Sequence, residues 1–192
     1  VKIEDIEPII KRQIEVNLAI SDKGLEEKFG AEVGRTILKY NDSQDVRIKA
    51  KAMAAAGSDA RMSGCAMPVV INSGSGNQGL TVSIPVIVYA REKNFSNEEL
   101  YRALVVSNLI SLHQKRYIGN LSAYCGATSA GCAAACGIAY LDHSTYEVIC
   151  NTIINSICTI GGMVCDGAKS SCAGKIASAV EAGILAYSMA KD

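Results

Sequence analysis

The sequence predicts a mainly α fold: a single compact helical domain over residues 1–192, with a glycine-rich loop ahead of a buried helix. Three observations predict it. Apolar residues recur at three- and four-residue spacing through most of the chain, the periodicity of an amphipathic helix. Alanine-rich stretches with few β-branched residues occupy the middle and the end. Polar clusters such as Asn41-Asp42-Ser43 fall between the periodic segments as turns and caps. At 192 residues the chain is long enough to bury a sizeable core.

Ile3, Ile6, Ile10, Ile14 and Ala19 or Ile20 mark a first helix over residues 3–20, with Pro8 placing its start near that residue. Ser21-Asp22 reads as a cap, and a second helix carries Leu25, Phe29, Val33 and Ile37 to about Tyr40. A third, alanine-rich helix runs from Val46 to Met62, with Arg47, Lys49, Lys51, Asp59 and Arg61 read as a solvated face.

Met67–Asn72 is then short, apolar and extended, and Ser73-Gly74-Ser75-Gly76-Asn77-Gln78-Gly79 follows. An extended segment, a glycine loop and a helix together offer free backbone N–H groups and a helix dipole to an anion. The loop lacks the Lys-Ser/Thr ending of a P-loop and the G-x-G-x-x-G spacing of a dinucleotide site. Ser73, Gly74, Ser75, Gly76, Asn77 and Gln78 therefore suit a small carboxylate, and a tight turn before a buried helix explains them equally well. Leu80–Ala90 contains Pro85 and reads as a kinked, buried helix or as an interrupted strand; its length favours the helix.

Asn94–Glu99 is a loop and cap, and a helix follows through Tyr101, Leu104, Val105, Asn108, Leu109 and Leu112 to about Tyr117. Helices rich in alanine, glycine and cysteine begin from Leu121. A further one starts around Ser144–Glu147 and breaks at Gly161-Gly162. The last carries Ala173, Ile176, Val180, Ile184 and Tyr187.

Nineteen basic residues balance nineteen acidic ones and aromatics make up 5%, so nucleic acid is not an expected partner. The uncharged runs Tyr117–Leu141 and Val148–Cys165 are interrupted by Asn120, Asn151, Asn155 and many small residues, and no membrane span is expected. No signal peptide opens the chain, and eight cysteines in an alanine-rich helical sequence fit a reducing cytoplasm better than a disulfide framework.

Seven of the eight cysteines lie between Leu121 and Ile176. Cys132, Cys136, Cys150, Cys158 and, earlier, Cys65 sit among apolar or small residues and read as packing. Cys125, Cys165 and Cys172 each have a glycine within two residues, in the contexts AYCG and VCDGAKSSC. Three thiolates without a C-x-x-C pair suit an iron–sulfur cluster better than zinc, and would leave one iron open to substrate. His113 and His143 are isolated, and neither is read as a ligand.

The segments LSAYCGATSAGC, MVCDGAKSSCAGKIASAVEAG and NSGSGNQGLTVSIPVIVYA resemble the L-cysteine desulfidase family, which is related to the alpha chain of iron–sulfur L-serine dehydratases. The likeness extends from about Asp59 to the end. It implies a [4Fe-4S] cluster on Cys125, Cys165 and Cys172, with a loop between the last two that is shorter than in the dehydratases. It implies a cytoplasmic lyase that eliminates hydrogen sulfide from L-cysteine, or water from L-serine, to give pyruvate and ammonia. The loop Ser73–Gly79 would hold the substrate carboxylate, and Asp166 and Lys169 would lie beside the cluster as proton-handling or supporting groups, or serve only as cap and solvated charge. Family members carry an N-terminal region with a Gly-Cys-Thr-Glu-Pro-like motif that is not found in this sequence, so the chain is expected to be the C-terminal part of a longer architecture, or else a natural short form. Its partners are a small amino acid and either a second copy or that N-terminal domain. A non-catalytic cluster-bearing or plain helical partner domain is the alternative.

Overall fold

The computed structural model describes residues 1–119 and 122–192. Asn120 and Leu121, the latter opening the cysteine-bearing stretch, lie outside the described residues. The described residues form eight helices: α1 (Ile3–Glu26), α2 (Val33–Tyr40), α3 (Val46–Met62), α4 (Gly76–Glu92), α5 (Asn97–Ile118), α6 (Gly126–Leu141), α7 (Tyr146–Ile160) and α8 (Ser171–Lys191). The only pairings of extended backbone among these residues are isolated bridges, Asn72 with Ser75 and Tyr124 with Val164. The mainly α prediction is met. No helix among the described residues is long and apolar enough to cross a membrane.

Two element boundaries differ from the sequence reading. α1 begins at Ile3, ahead of Pro8, and runs without a break through Ser21-Asp22 to Glu26. Pro8 removes only the bond its N–H would have given to the carbonyl of Glu4, and Glu4 is exposed in the first turn, where water can take that place. Ser21 is buried rather than capping, and Gly24 lets the α1 backbone approach Ala56 of α3, where a Cβ would collide with the Ala56 carbonyl. The second helix starts only at Val33, because Gly30 and Glu32 both adopt positive φ and stop a helical run from Leu25.

α4 sits at the centre, packed against α3, α5 and α6 and touching α1 and α8. Leu80, Val82, Ile84, Val86 and Ile87 are fully buried, as are Thr81 and Ser83, so this helix is buried on every side. Pro85 lies inside it, and the helical reading of Leu80–Ala90 is the correct one. Its start is held by Asn17 of α1, itself fully buried. The Asn17 amide donates to the carbonyls of Val70 and Gly79 and to Ser83 Oγ, and its Oδ1 accepts from Val70 N–H at 2.8 Å. Removing one partner of such a buried set leaves others unsatisfied, at about 1–3 kcal/mol for each stranded group.

The solvated face predicted for α3 is only partly real. Asp59 is 1% exposed, and its Oδ2 accepts from the Val33 N–H at 2.7 Å, so this acid caps the start of α2. Burial pushes its carboxyl above the usual carboxylate range, and the Val33 and Gly34 N–H groups pull it down. Arg61, in the last turn of α3, faces the site described next. Two caps are as the sequence suggests: Ser96 and Glu99 form a reciprocal capping box on α5, and Thr145 Oγ1 accepts from Val148 N–H on α7. The cap of α3 is not within Asn41-Asp42-Ser43 but at Asp45, whose Oδ1 accepts from the Arg47 N–H at 2.8 Å.

Cys132 and Cys136 of α6 are fully buried, and Cys65 packs partly buried against the core, as packing cysteines should. Cys158 departs from that expectation. α7 turns only Thr152 and Ser156 fully inward, which leaves Cys158 exposed and Cys150 half-buried.

Candidate functional site

The glycine loop folds as a tight turn. Asn72 and Ser75 exchange backbone hydrogen bonds of 3.1 and 3.0 Å across Ser73 and Gly74, which both have positive φ (50° and 78°). The Asn72 amide is buried and anchored on Asn108 of α5. Ser75 caps α4, its Oγ accepting from the Gln78 N–H at 3.4 Å. Of the first N–H groups of α4, that of Gln78 is taken by Ser75, whereas those of Gly76 and Asn77 have no partner within the helix, and Asn77 borders a hollow.

A second contact builds the opposite wall. Tyr124 and Val164 form an antiparallel bridge, in which the Cys125 N–H donates to the Met163 carbonyl at 2.9 Å and the Cys165 N–H to the Ala123 carbonyl at 2.7 Å. Two cysteines forty residues apart are thereby placed side by side. Cys172 lies in the first turn of α8, its Sγ 3.7 Å from the Gly167 carbonyl.

These parts face one cavity of about 210 Å³. The loop contributes Gly74, Ser75, Asn77 and Gln78 to its lining, with Arg61 beside them against Gly76, and the cysteine segments contribute Cys125, Gly126, Ala127, Cys165, Gly167, Ala168 and Cys172, joined by Ile176. The structure thus brings together both groups of residues singled out from sequence, except Ser73 and Gly76, which shape the turn without being among its lining residues. Burial pushes the Cys125 thiol up, and the nearby Cys165 and Cys172 act in the same direction, while the Ala127 N–H and Lys175 pull it down. The Oδ1 of Asn77 and Oε1 of Gln78 are buried without a hydrogen-bond partner. Among the described residues no three His, Cys, Asp or Glu side chains gather closely enough for a single metal ion.

Asp166 and Lys169 stand beside the cavity, outside its lining. Asp166 is ion-paired with Lys175 of α8 and, at 3.1 Å, with Lys169. Lys175 also donates to the Val164 carbonyl at 2.9 Å, clamping the cysteine loop to α8. The two lysines, Lys175 first, hold the Asp166 carboxyl at about 2, well below the usual 3.8. A carboxyl depressed in the folded state supports the loop above its ordinary pKa and loses that support as pH falls through the folded value. We therefore expect the amide NMR shifts of Val164–Ala168 to move as pH drops from about 3.8 to about 2, and not to move in Asp166→Asn. Identical acid titrations of the two proteins would show that the pair does not hold the loop.

Arg61 and Lys175 were missed from sequence. Lys175 lies three residues beyond Cys172, on the next turn of the same helix, and was a legible signal; Arg61 is separated from the loop by more than ten residues and had none.

The serine dehydratase alpha chain family model matches residues 1–192, and the chain belongs to that family. It is 60% identical over its whole length to a UPF0597 protein of Desulfitobacterium hafniense, covering 44% of that protein. It is 53% identical to a UPF0597 protein of Finegoldia magna and 52% identical to one of Treponema denticola, covering 46% of each. The chain thus spans under half the length of these relatives. No solved structure matches it.

Proposed function

We propose that this chain is the cluster-binding portion of a cytoplasmic iron–sulfur-dependent lyase that eliminates hydrogen sulfide from L-cysteine, or water from L-serine, giving pyruvate and ammonia. One observation carries the reading: Cys125, Cys165 and Cys172 line the same cavity as the glycine loop at the start of α4. The donor set fits a [4Fe-4S] cluster. Three thiols line one cavity, and each iron of a cluster takes its own thiolate. Gly126 and Gly167 leave the backbone around two of the thiols free of side chains. A cluster held by three thiolates retains one iron without a protein ligand, a Lewis acid that makes a thiol or hydroxyl a better leaving group.

The chain's own residues supply the rest of the site. The unpartnered N–H groups at the start of α4 and the Ser75 hydroxyl hold the substrate carboxylate, aided by the helix dipole. Asn77 and Gln78, whose carbonyl oxygens are buried without a partner, line the loop end of the cavity, and turning either side chain outward would offer an acceptor to the substrate ammonium. Ala127 and Ile176 add apolar surface to the cavity wall. Asp166, held at about 2 by its lysines, is a poor proton acceptor near neutral pH, so it and Lys169 position the cysteine loop. No carboxylate or imidazole lines the cavity among the described residues, and we assign removal of the α proton to the part of the longer relatives that this chain does not span. Loss of that proton and of the leaving group yields 2-aminoacrylate, which takes up water to give pyruvate and ammonia.

The test is anaerobic reconstitution of the wild type and Cys165→Ala, followed by assays with cysteine and serine in this chain and in the full-length Desulfitobacterium relative. About four irons and four acid-labile sulfides per chain are expected in the wild type, with a large loss in the variant. Equal iron in both proteins, or none in the wild type, overturns the ligand assignment. A stable cluster with no pyruvate formed by the full-length protein makes this a non-catalytic cluster-bearing module.

A further inference from the structure

Arg61 is the one charged residue among those described as lining the cavity. It comes from the last turn of α3, an element the sequence does not connect with the glycine loop. None of the ion pairs among the described residues includes it, and its only described side-chain contact of hydrogen-bond type is a weak one, 4.0 Å from Nη1 to Met62 Sδ. Its place against the loop depends on a missing side chain. A Cβ on Gly76, the first residue of α4, would collide with Arg61 Nε and come within 2.5 Å of Val69 Cγ2. A half-buried guanidinium beside a helix N-terminus, with no acid to neutralise it, leaves a net positive corner in a cavity otherwise lined by neutral groups and thiols.

We infer that Arg61 is the residue that makes the site select a carboxylate. The inference rests on the lyase reading and adds a specificity determinant to it. A planar guanidinium can meet both oxygens of a carboxylate, whereas the loop N–H groups alone would accept almost any small anion or polar group. Arg61 lies on the loop side of the cavity, where it orients the carboxylate end of the substrate while the thiol or hydroxyl end is directed to the cysteines. Gly76 is then required for the room it leaves the guanidinium.

The experiment compares the binding of two thiols to the anaerobically reconstituted chain and to the cluster-free chain, by isothermal titration. One is 3-mercaptopropionate, which carries a carboxylate; the other is 2-mercaptoethanol, which does not. Wild type is expected to prefer the carboxylate by roughly tenfold or more, Arg61→Gln to lose the preference, and Arg61→Lys to keep part of it. Gly76→Ala is expected to behave as Arg61→Gln does. Thermal melts of each variant show whether it is folded, and Arg61→Lys keeps the test valid if Arg61→Gln is not. A preference that survives in Arg61→Gln overturns the role of Arg61 and leaves the loop as the carboxylate site. A variant that loses iron while keeping the preference overturns it too, by making Arg61 a counter-charge for the cysteines. A wild type that binds neither thiol sinks the lyase reading itself, and this inference with it.

Discussion

Cys125→Ser is expected to lose the iron of the reconstituted protein while leaving the fold as stable as before or more so. Cys125 occupies the N-cap of α6 with extended backbone, but its side chain makes no capping bond. Serine is a preferred N-cap, contributing about 1 kcal/mol where its oxygen reaches the open N–H groups. The same change replaces a soft thiolate by a hard hydroxyl, which an iron–sulfur cluster holds poorly. Stability and metal content should therefore move in opposite directions. Cys132→Ala is the counterpart. Its sulfur is fully buried, 4.0 Å from the Ile153 carbonyl, so removing it should cost about 1 kcal/mol and leave iron unchanged. Paired melting curves and iron determinations check both. Full iron retention by Cys125→Ser would remove Cys125 from the ligand set, and iron loss in Cys132→Ala would mean that the wrong cysteines have been chosen.

Gly131→Ala should destabilise the protein by about 3 kcal/mol, lowering its melting temperature by roughly 6–12 °C for a chain of this size. α6 and α8 touch backbone to backbone at this point. A Cβ on Gly131 would stand 2.5 Å from the Ala179 carbonyl oxygen, and one on Gly183 would stand 2.6 Å from the Gly131 carbonyl oxygen. Neither obstacle is the flexible end of a side chain, so the helices must separate. Their N-terminal ends present Cys125 and Cys172, and iron retention should fall along with stability even though no ligand is altered. Calorimetry and iron content of the reconstituted variant test the two effects together. Unchanged melting would show that α6 and α8 can slide apart freely, and the link between their packing and the site would fail.

Much of this protein is determined by local sequence. Helical spacing places α3 and α5 almost to the residue and finds α8, and Ser96, Glu99 and Thr145 mark helix starts because capping is a bond between near neighbours. The glycine turn and the three glycine-flanked cysteines were legible for the same reason: tight turns and open backbone are written in a few adjacent residues. The end of α1 was misread because Ser21-Asp22 looks like a cap, yet tertiary packing buries Ser21, and Gly24 one turn on brings α1 against α3.

The tertiary structure alone decided which of these pieces meet. Cys125 and Cys165 become neighbours through the Tyr124–Val164 bridge, a pairing across forty residues that no local pattern specifies. Asp59 and Arg61, close together near the end of one alanine-rich helix, looked alike as surface charges. One is buried as the cap of α2 and the other faces the cavity, because α3 is surrounded by four other helices and has little solvated face left. Side-chain chemistry and backbone propensity are properties of single residues and their neighbours, whereas a site is a property of distances between segments far apart in the chain, and packing sets those distances.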